Sequence, residues 1–447
     1  MRVLLFFINA LWSISFLTSG LSACTKSTPP KDTEVPQPPP PKPPDTKEMK
    51  PENYPDLVWI YTSEHWKHET FNGGTAEYIW SNEKNTPEDL TLKVSTTKGS
   101  VCSNSWLSVT LKPNTVYRFS ADIRTLGVTG DKGATITLMG EWWDTAEYVK
   151  GTQQKTSVSR TFLTDHLGVA RLCVSLGING QTSSGTVYFS NLKVAEADYI
   201  AQESKYMRLR ISREHANSVK ASSIDAWLAT MDRVYEQYVE LVGANPYGQT
   251  KTNIYSPYPS IGAWGLAGNP IRVTLNGVVP MLRNFEDHND WSFGMMHEIG
   301  HNFNSGDGKY NGSDANWNWN DEMFANFRLY YALDKLNGRF SNGGKYYDGA
   351  QAIQYFKTDG GDSYDNTIAQ GRYSHDAVMY TLIRLQNQIG WAPFEKTFRE
   401  FYSKPNPNNV TNWEKFNIFL ETLSKYAERD VKETYSEQEL KVIKDNI

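Results

Sequence analysis

Near residue 200 the hydrophobic pattern of this chain changes period, and that change limits what the chain can fold into. Upstream, short apolar–polar alternations over 116–123, 134–139, 170–176 and 186–189 are separated by Gly, Asn, Asp and Ser clusters. Strands of this length and spacing fold as an antiparallel β-sandwich. Downstream, Trp227, Met231, Val234, Tyr238 and Leu241 recur at helical spacing, with Ser222 and Ser223 able to cap that helix and Gly243 to end it. A turn-rich stretch over 252–279 holds strands, including 271–275, and helices occupy most of the remainder. The expected fold class is multidomain: an all-β sandwich over 56–197, then a mostly α, α+β domain over 198–447.

The N-terminus reads as a targeting segment. Arg2 precedes a nearly unbroken apolar run over 3–17, and Leu21-Ser22-Ala23-Cys24 follows. The run is short for a membrane span and sits where a signal peptide sits. Its ending resembles the lipobox of bacterial lipoproteins, in which the Cys carries lipid. That resemblance implies a signal peptide over 1–23, a membrane anchor at Cys24, and export to a bacterial outer membrane or cell surface. Residues 24–55, with Pro38-Pro39-Pro40-Pro41 among them, form a stiff, extended, solvated tether. No later stretch is long and apolar enough to predict a transmembrane helix. Cys102 and Cys173 fall in the strand-rich region, where both a disulfide and two buried thiols fit. The net charge of −5 supplies no basic field for nucleic acid.

The chemistry is carried by His297-Glu298-Ile299-Gly300-His301. Two His four apart on a helix present both imidazoles on one face, able to grip one ion, and Glu298 can reach a water there without ligating the metal. Phe293, Met296, Ile299 and Phe303 back the helix, and Asn289 or Asp290 can cap it. A catalytic zinc takes three protein ligands and leaves one position open. Asp307, Asp321 and Glu322 compete for the third place. Asp307 has metzincin spacing, but that arrangement turns at a Gly where this chain has Asn304. Glu322 lies in a helical stretch (320–330) that a loop can bring back beside the imidazoles, and it is the preferred ligand. Asn326, one turn on, can accept from a ligand histidine or serve as helix surface.

Two resemblances extend this reading. Residues 111–125 and 184–194 resemble jelly-roll carbohydrate-binding modules, which implies a jelly-roll sandwich and hints at glycan binding. Trp80, Trp106, Trp142 and Trp143 are the candidate stacking residues, within a chain of 14 Trp and 25 Tyr. Residues 200–430 resemble the enhancin-like metallopeptidases, family M60, which include mucin-degrading enzymes. The matching features are His-Glu-Ile-Gly-His-Asn at 297–302 and Ile389-Gly390-Trp391 with Phe394 and Phe398. Those enzymes are gluzincins, so the resemblance implies Zn2+ on His297, His301 and Glu322, Glu298 as general base, and glycoprotein or mucin substrates.

Further roles are assigned by chemistry. Tyr373 and His375 are candidate stabilisers of the oxyanion; Tyr380 has the spacing of a packed helix residue. The segment 262–268, with Trp264 and Gly265, is the candidate edge strand for aligning substrate. His288, nine residues before His297, reads as a surface or loop histidine. The expected protein is a lipid-anchored, monomeric zinc endopeptidase acting on glycoproteins. One alternative is a glycan-binding lipoprotein with a scaffold peptidase-like domain. Another is a gluzincin aminopeptidase, which would need an acidic cluster such as Glu286, Asp287 and Asp290 in its cleft.

Overall fold

The computed structural model describes residues 42–47, 60, 62–82, 90–142, 144–178, 180–305, 318–403 and 410–447. The expected signal peptide, Cys24, most of the expected tether, Trp143, Asp307 and Trp317 lie outside the described residues. No helix among them is long and apolar enough to cross a membrane.

The first ten strands are β1 (Thr46–Lys47), β2 (Lys67–Phe71), β3 (Thr75–Ser81), β4 (Thr91–Lys98), β5 (Cys102–Thr110), β6 (Val116–Gly130), β7 (Ala134–Leu138), β8 (Gly151–Leu163), β9 (Val169–Leu176) and β10 (Ser183–Ala197). They form two antiparallel sheets, β3-β4-β10-β6-β8 with β1 paired to β10, and β2-β5-β9-β7. The period-two pattern explains the packing. Tyr117, Phe119, Ala121 and Ile123 of β6 turn inward to meet Leu107, Val109, Leu172 and Val174 of the other sheet. Three of the four expected strand segments fall within β6, β9 and β10, and the fourth, 134–139, runs one residue past the end of β7. The last described part of the tether is not free chain: Thr46 and Lys47 pair with Ala197 and Glu196.

Strand register separates the two cysteines. Cys173 stands opposite Trp106, four positions along β5 from Cys102, and the two are buried thiols not joined in a disulfide. Trp80 packs against the sandwich core, and Trp106 lies between Lys67 and Arg171, 4.8 and 5.8 Å from its ring centroid.

The second domain begins one residue after β10. Its strands are β11 (Tyr199–Glu203), β12 (Met207–Ser212), β13 (Thr252–Tyr255), β14 (Gly265–Leu266) and β15 (Ile271–Val273), in the order β11-β12-β13-β15-β14. Strands β12, β13 and β15 are parallel, so a crossover must join β12 to β13. Helices α1 (Arg213–Ala216) and α2 (Ala221–Val242) supply it. There follow α3 (Leu275–His288), α4 (Phe293–Ser305), α5 (Asp321–Leu336), the hairpin β16 (Arg339–Asn342) and β17 (Lys345–Asp348), then α6 (His375–Ile389), α7 (Ala392–Ser403), α8 (Asn412–Ala427) and α9 (Glu437–Lys444).

Gly243, at φ 78°, ends α2 as its spacing predicts. Two expected caps are not made. Helix α2 starts at Ala221, with Lys220 at its N-cap, which puts Ser222 and Ser223 inside the first turn. Helix α4 is capped by Ser292, whose Oγ accepts from Met295 N–H at 3.3 Å. Asn289 is engaged as the left-handed C-cap of α3, and Asp290 accepts from Ser292 N–H at 2.9 Å.

The two domains meet along a polar seam. Thr161 N–H of β8 donates to Tyr258 O at 2.6 Å, and Tyr258 N–H returns to Thr161 Oγ1 at 2.8 Å. Arg160, fully buried, pairs with Glu141 and Asp144, each at 3.0 Å. Arg272 of β15 meets the same two carboxylates at 3.4 and 3.6 Å. A buried pair of this kind holds its shape because losing one partner strands the other's charge.

Candidate metal centre

Helices α4 and α5 build the site. Their close approach rests on Gly300: a Cβ there would lie 2.8 Å from Ala325 O and 3.0 Å from Ala325 Cα. Helix α5 starts where Asn320 Oδ1 accepts from Met323 N–H at 3.0 Å, which places Asp321 and Glu322 in a first turn that favours negative charge.

His297, His301 and Glu322 come together, with one ligand atom from each all within 4.8 Å. His297 Nε2 is 2.9 Å from His301 Nε2 and 3.0 Å from Glu322 Oε2; His301 Nε2 is 3.6 Å from that oxygen. The opposite ring nitrogens are both engaged. Asn326 donates its Nδ2 to Asp376 Oδ1 at 2.8 Å, so its Oδ1 faces His297 Nδ1 at 2.7 Å as an acceptor. Asp321 Oδ2 accepts from His301 Nδ1 at 2.7 Å. With both Nδ1 atoms as donors, both Nε2 lone pairs point at one spot beside a carboxylate oxygen. Three electron-pair donors so crowded repel unless a proton or a metal cation lies among them; in the metal-free chain His301 holds that proton, and a metal ion would displace it. A tetrahedral ion with bonds of roughly 2.0–2.2 Å sets its ligands about 3.3–3.6 Å apart, so one separation already fits and the two shorter ones need to open by only a few tenths of an ångström; with two imidazoles and a carboxylate, these residues fit zinc.

Electrostatics follow the geometry. Burial would raise the Glu322 carboxyl, but the bonds from His297 and His301 hold it well below the usual range. Burial would lower His301, yet Asp321 and Glu322 raise it to about 10. Glu298, buried, is pushed above the ordinary glutamate range by desolvation, with the two imidazoles and the Ala267 amide pulling back.

The segment expected to be an edge strand is β14, at the end of its sheet. It lies on Glu298 so closely that a Cβ at Gly265 would be 2.9 Å from Glu298 Cγ and Oε1. Asn302, directly after His301, fixes the chain beyond β14: its Oδ1 accepts from Gly268 N–H at 2.7 Å and its Nδ2 donates to Gly268 O at 3.0 Å. Trp264 is half-buried, its ring seated where side chains at Gly277 and Gly294 would otherwise stand.

Tyr373 and His375 flank the start of α6, capped by Ser374. The Tyr373 hydroxyl accepts from Asn320 Nδ2 and lies 3.4 Å from His375 Nδ1. Burial lowers His375 and raises Tyr373, so both are neutral near pH 7; Glu322 is close enough to act on the His375 charge. Tyr380 packs on Tyr364 at 4.9 Å, and His288 lies 5.5 Å from Tyr346. Glu286 pairs with Lys220, and Asp290 accepts from Ser341 Oγ at 2.5 Å, so neither offers a free carboxylate. Trp142 lies on the domain seam, lining a cleft that none of His297, His301 and Glu322 lines.

Three residues of this network had no role in the sequence reading: Asn302, Asn320 and Asp376. Only Asn302 left a trace, as the Asn that closes the His-Glu-Ile-Gly-His-Asn string.

The model of the peptidase M60, enhancin and enhancin-like family matches residues 179–437. No curated protein matches the chain. Among solved structures, a metallopeptidase from Bacteroides thetaiotaomicron aligns with a TM-score of 0.38 at 13% identity, over 72% of this chain and 58% of that one. A metallopeptidase in complex with Tn antigen aligns at 0.37 and 14%, over 73% and 64%. The chain thus spans less than two thirds of either metallopeptidase. A family 11 carbohydrate-binding module from Clostridium thermocellum, in complex with a mixed-linked tetrasaccharide, aligns at 0.22 and 12%, over 30% of this chain and 90% of that one. The family match takes in more than half of the chain and every ligand of the candidate centre: the chain belongs to the peptidase M60, enhancin and enhancin-like family.

Proposed function

We propose that this protein is a gluzincin-type zinc endopeptidase that cleaves glycoproteins such as mucins at a bacterial surface, held there by lipid on Cys24. The observation that carries the peptidase reading is the convergence of His297 Nε2, His301 Nε2 and Glu322 Oε2, each imidazole fixed from behind, with Glu298 beside them. The glycoprotein part rests on family membership and on the sandwich fused to the peptidase domain.

Zinc, when bound, activates water near neutral pH and polarises a carbonyl. The chain's own residues do the rest. Glu298 accepts a proton from the attacking water and hands it to the leaving amine; its desolvated carboxylate is a stronger base than an exposed one. Strand β14 offers an edge along which an extended substrate can lie, over Glu298. Tyr373 and His375 present a hydroxyl and a neutral imidazole as donors to the developing oxyanion. Glu286 and Asp290 are engaged elsewhere, which favours an endopeptidase over an aminopeptidase.

The test is digestion of glycosylated and deglycosylated mucin by wild type and Glu298→Gln, with zinc measured in both. Cleavage by wild type and its loss in the variant at equal zinc content is expected. Equal cleavage by the two overturns the mechanism, and cleavage of deglycosylated mucin alone overturns the glycoprotein preference.

A further inference from the structure

The candidate sugar platforms on the sandwich sheets are occupied. Trp80 packs inward, Trp106 lies between Lys67 and Arg171, and Tyr188 carries the Arg124 guanidinium 3.7 Å above its ring centroid. Trp142 stands in a different setting. It lines a cleft of about 520 Å³ on the seam, with Asp144–Tyr148 of the sandwich on one side and Pro259–Gly262 of the peptidase domain on the other. That volume suits a small ligand. Lys132, Glu147, Tyr148 and Ser260 line it too, with Lys132 Nζ 5.0 Å from the Tyr148 ring centroid. By the same measure the Tyr148 ring is taken by Lys132, so the Trp142 indole is the aromatic that can meet a sugar's apolar C–H face, beside groups of both kinds for its hydroxyls. Asp144 is committed to Arg160 and Arg272, and the remaining charges that line the cleft, Lys132 and Glu147, are opposite in sign, so the cleft has no cationic excess to attract an acidic sugar.

The cleft is joined to the catalytic strand. Gly262 lines it, and Gly265, three residues on, lies against Glu298. Residues 262–264 bend, so the roughly 10 Å that three extended residues would span is an upper bound on that separation. We propose that the seam cleft is a glycan subsite, taking a neutral sugar borne by the substrate about two to four residues from the scissile bond. The proposal rests on the peptidase reading for its purpose, but the cleft binds sugar whether or not turnover occurs.

The test therefore uses full-length Glu298→Gln protein and measures binding rather than cleavage. The probes are synthetic peptides with one O-linked N-acetylgalactosamine moved residue by residue, the bare peptide, and a sialylated set. Preference is the ratio of bare-peptide to glycopeptide dissociation constants. We expect a preference for some positions of the neutral sugar, reduced about tenfold by Trp142→Ala. Lys132→Ala, on the cleft rim, should reduce it about threefold and guards against misfolding of the first variant. A preference unchanged by both variants, or no preference at any position, overturns the proposal. A sialylated set that shows the same dependence on Trp142 overturns the assignment to neutral sugars. Failure of the peptidase reading would instead appear as absence of cleavage by wild type, with these binding ratios intact.

Discussion

Gly300 and Ala325 touch backbone to backbone, and this contact sets the distance between the helix that carries both histidines and the helix that carries Glu322. Glycine inside a helix costs about 1 kcal/mol relative to alanine, so Gly300→Ala would ordinarily stabilise. Here the added methyl would stand 2.8 Å from a carbonyl oxygen that cannot rotate away. We expect Gly300→Ala to lower stability by about 1–3 kcal/mol and to weaken zinc binding as the helices part. A higher melting temperature with zinc retained would contradict this.

Gly265 is crowded by a side chain rather than by backbone, so the same substitution should act differently there. In Gly265→Ala the methyl displaces the Glu298 carboxylate. The expected result is a fall in kcat of about tenfold or more, with zinc content and melting temperature close to wild type. An unchanged kcat would show that Glu298 has room to adjust.

The histidine partners should govern metal affinity. Asn326→Ala and Asp321→Ala each free an imidazole Nδ1 to rotate and exchange tautomers. Zinc affinity, measured against a chelator buffer, should fall about 10–100-fold in each. Glu298→Gln, which removes no ligand, should bind zinc as wild type does. Equal affinities across the set would remove Asn326 and Asp321 from the metal centre.

Asp376 gives the metal-free protein a pH dependence. Burial and neighbouring acids raise its pKa from 3.8 to about 7, against the pull of His297. Below pH 3.8 both folded and unfolded chains hold the proton; between there and about 7 only the folded chain does. Stability relative to Asp376→Asn should therefore fall as pH rises from about 4 to about 7 and level off above. The total is about 2–3 kcal/mol once the partial exposure of Asp376 is allowed for. Parallel profiles for the two proteins would exclude this titration.

The site was legible in the sequence where it depends on helical spacing. His297 and His301 are one turn apart whatever the rest of the fold does, and Glu322 and Asn326 share a face for the same reason. The choice between adjacent Asp321 and Glu322 turns on how α5 is rotated against α4, which sequence spacing does not encode. In the structure Glu322 faces the imidazole Nε2 atoms, and Asp321 takes His301 from behind. Trp264 illustrates the limit from the other side. Sequence places it in the candidate edge segment, but that its ring fills the space left by Gly277 and Gly294, residues remote in sequence, shows only in the fold. The cysteines were open for the same reason: the β5–β9 register decides whether they meet, and it sets them apart.

A single residue, Asp198, separates the last strand of the sandwich from the first strand of the peptidase sheet, and the Arg160–Asp144–Arg272 cluster locks the two together. Modules joined by a flexible linker raise each other's effective concentration over a wide volume. These two have no such freedom, so with the proposed glycan subsite the assembly would work as a gauge. Whatever the sandwich holds at the seam stands at one set distance from Glu298, and only substrates whose two recognised features match that distance can use both.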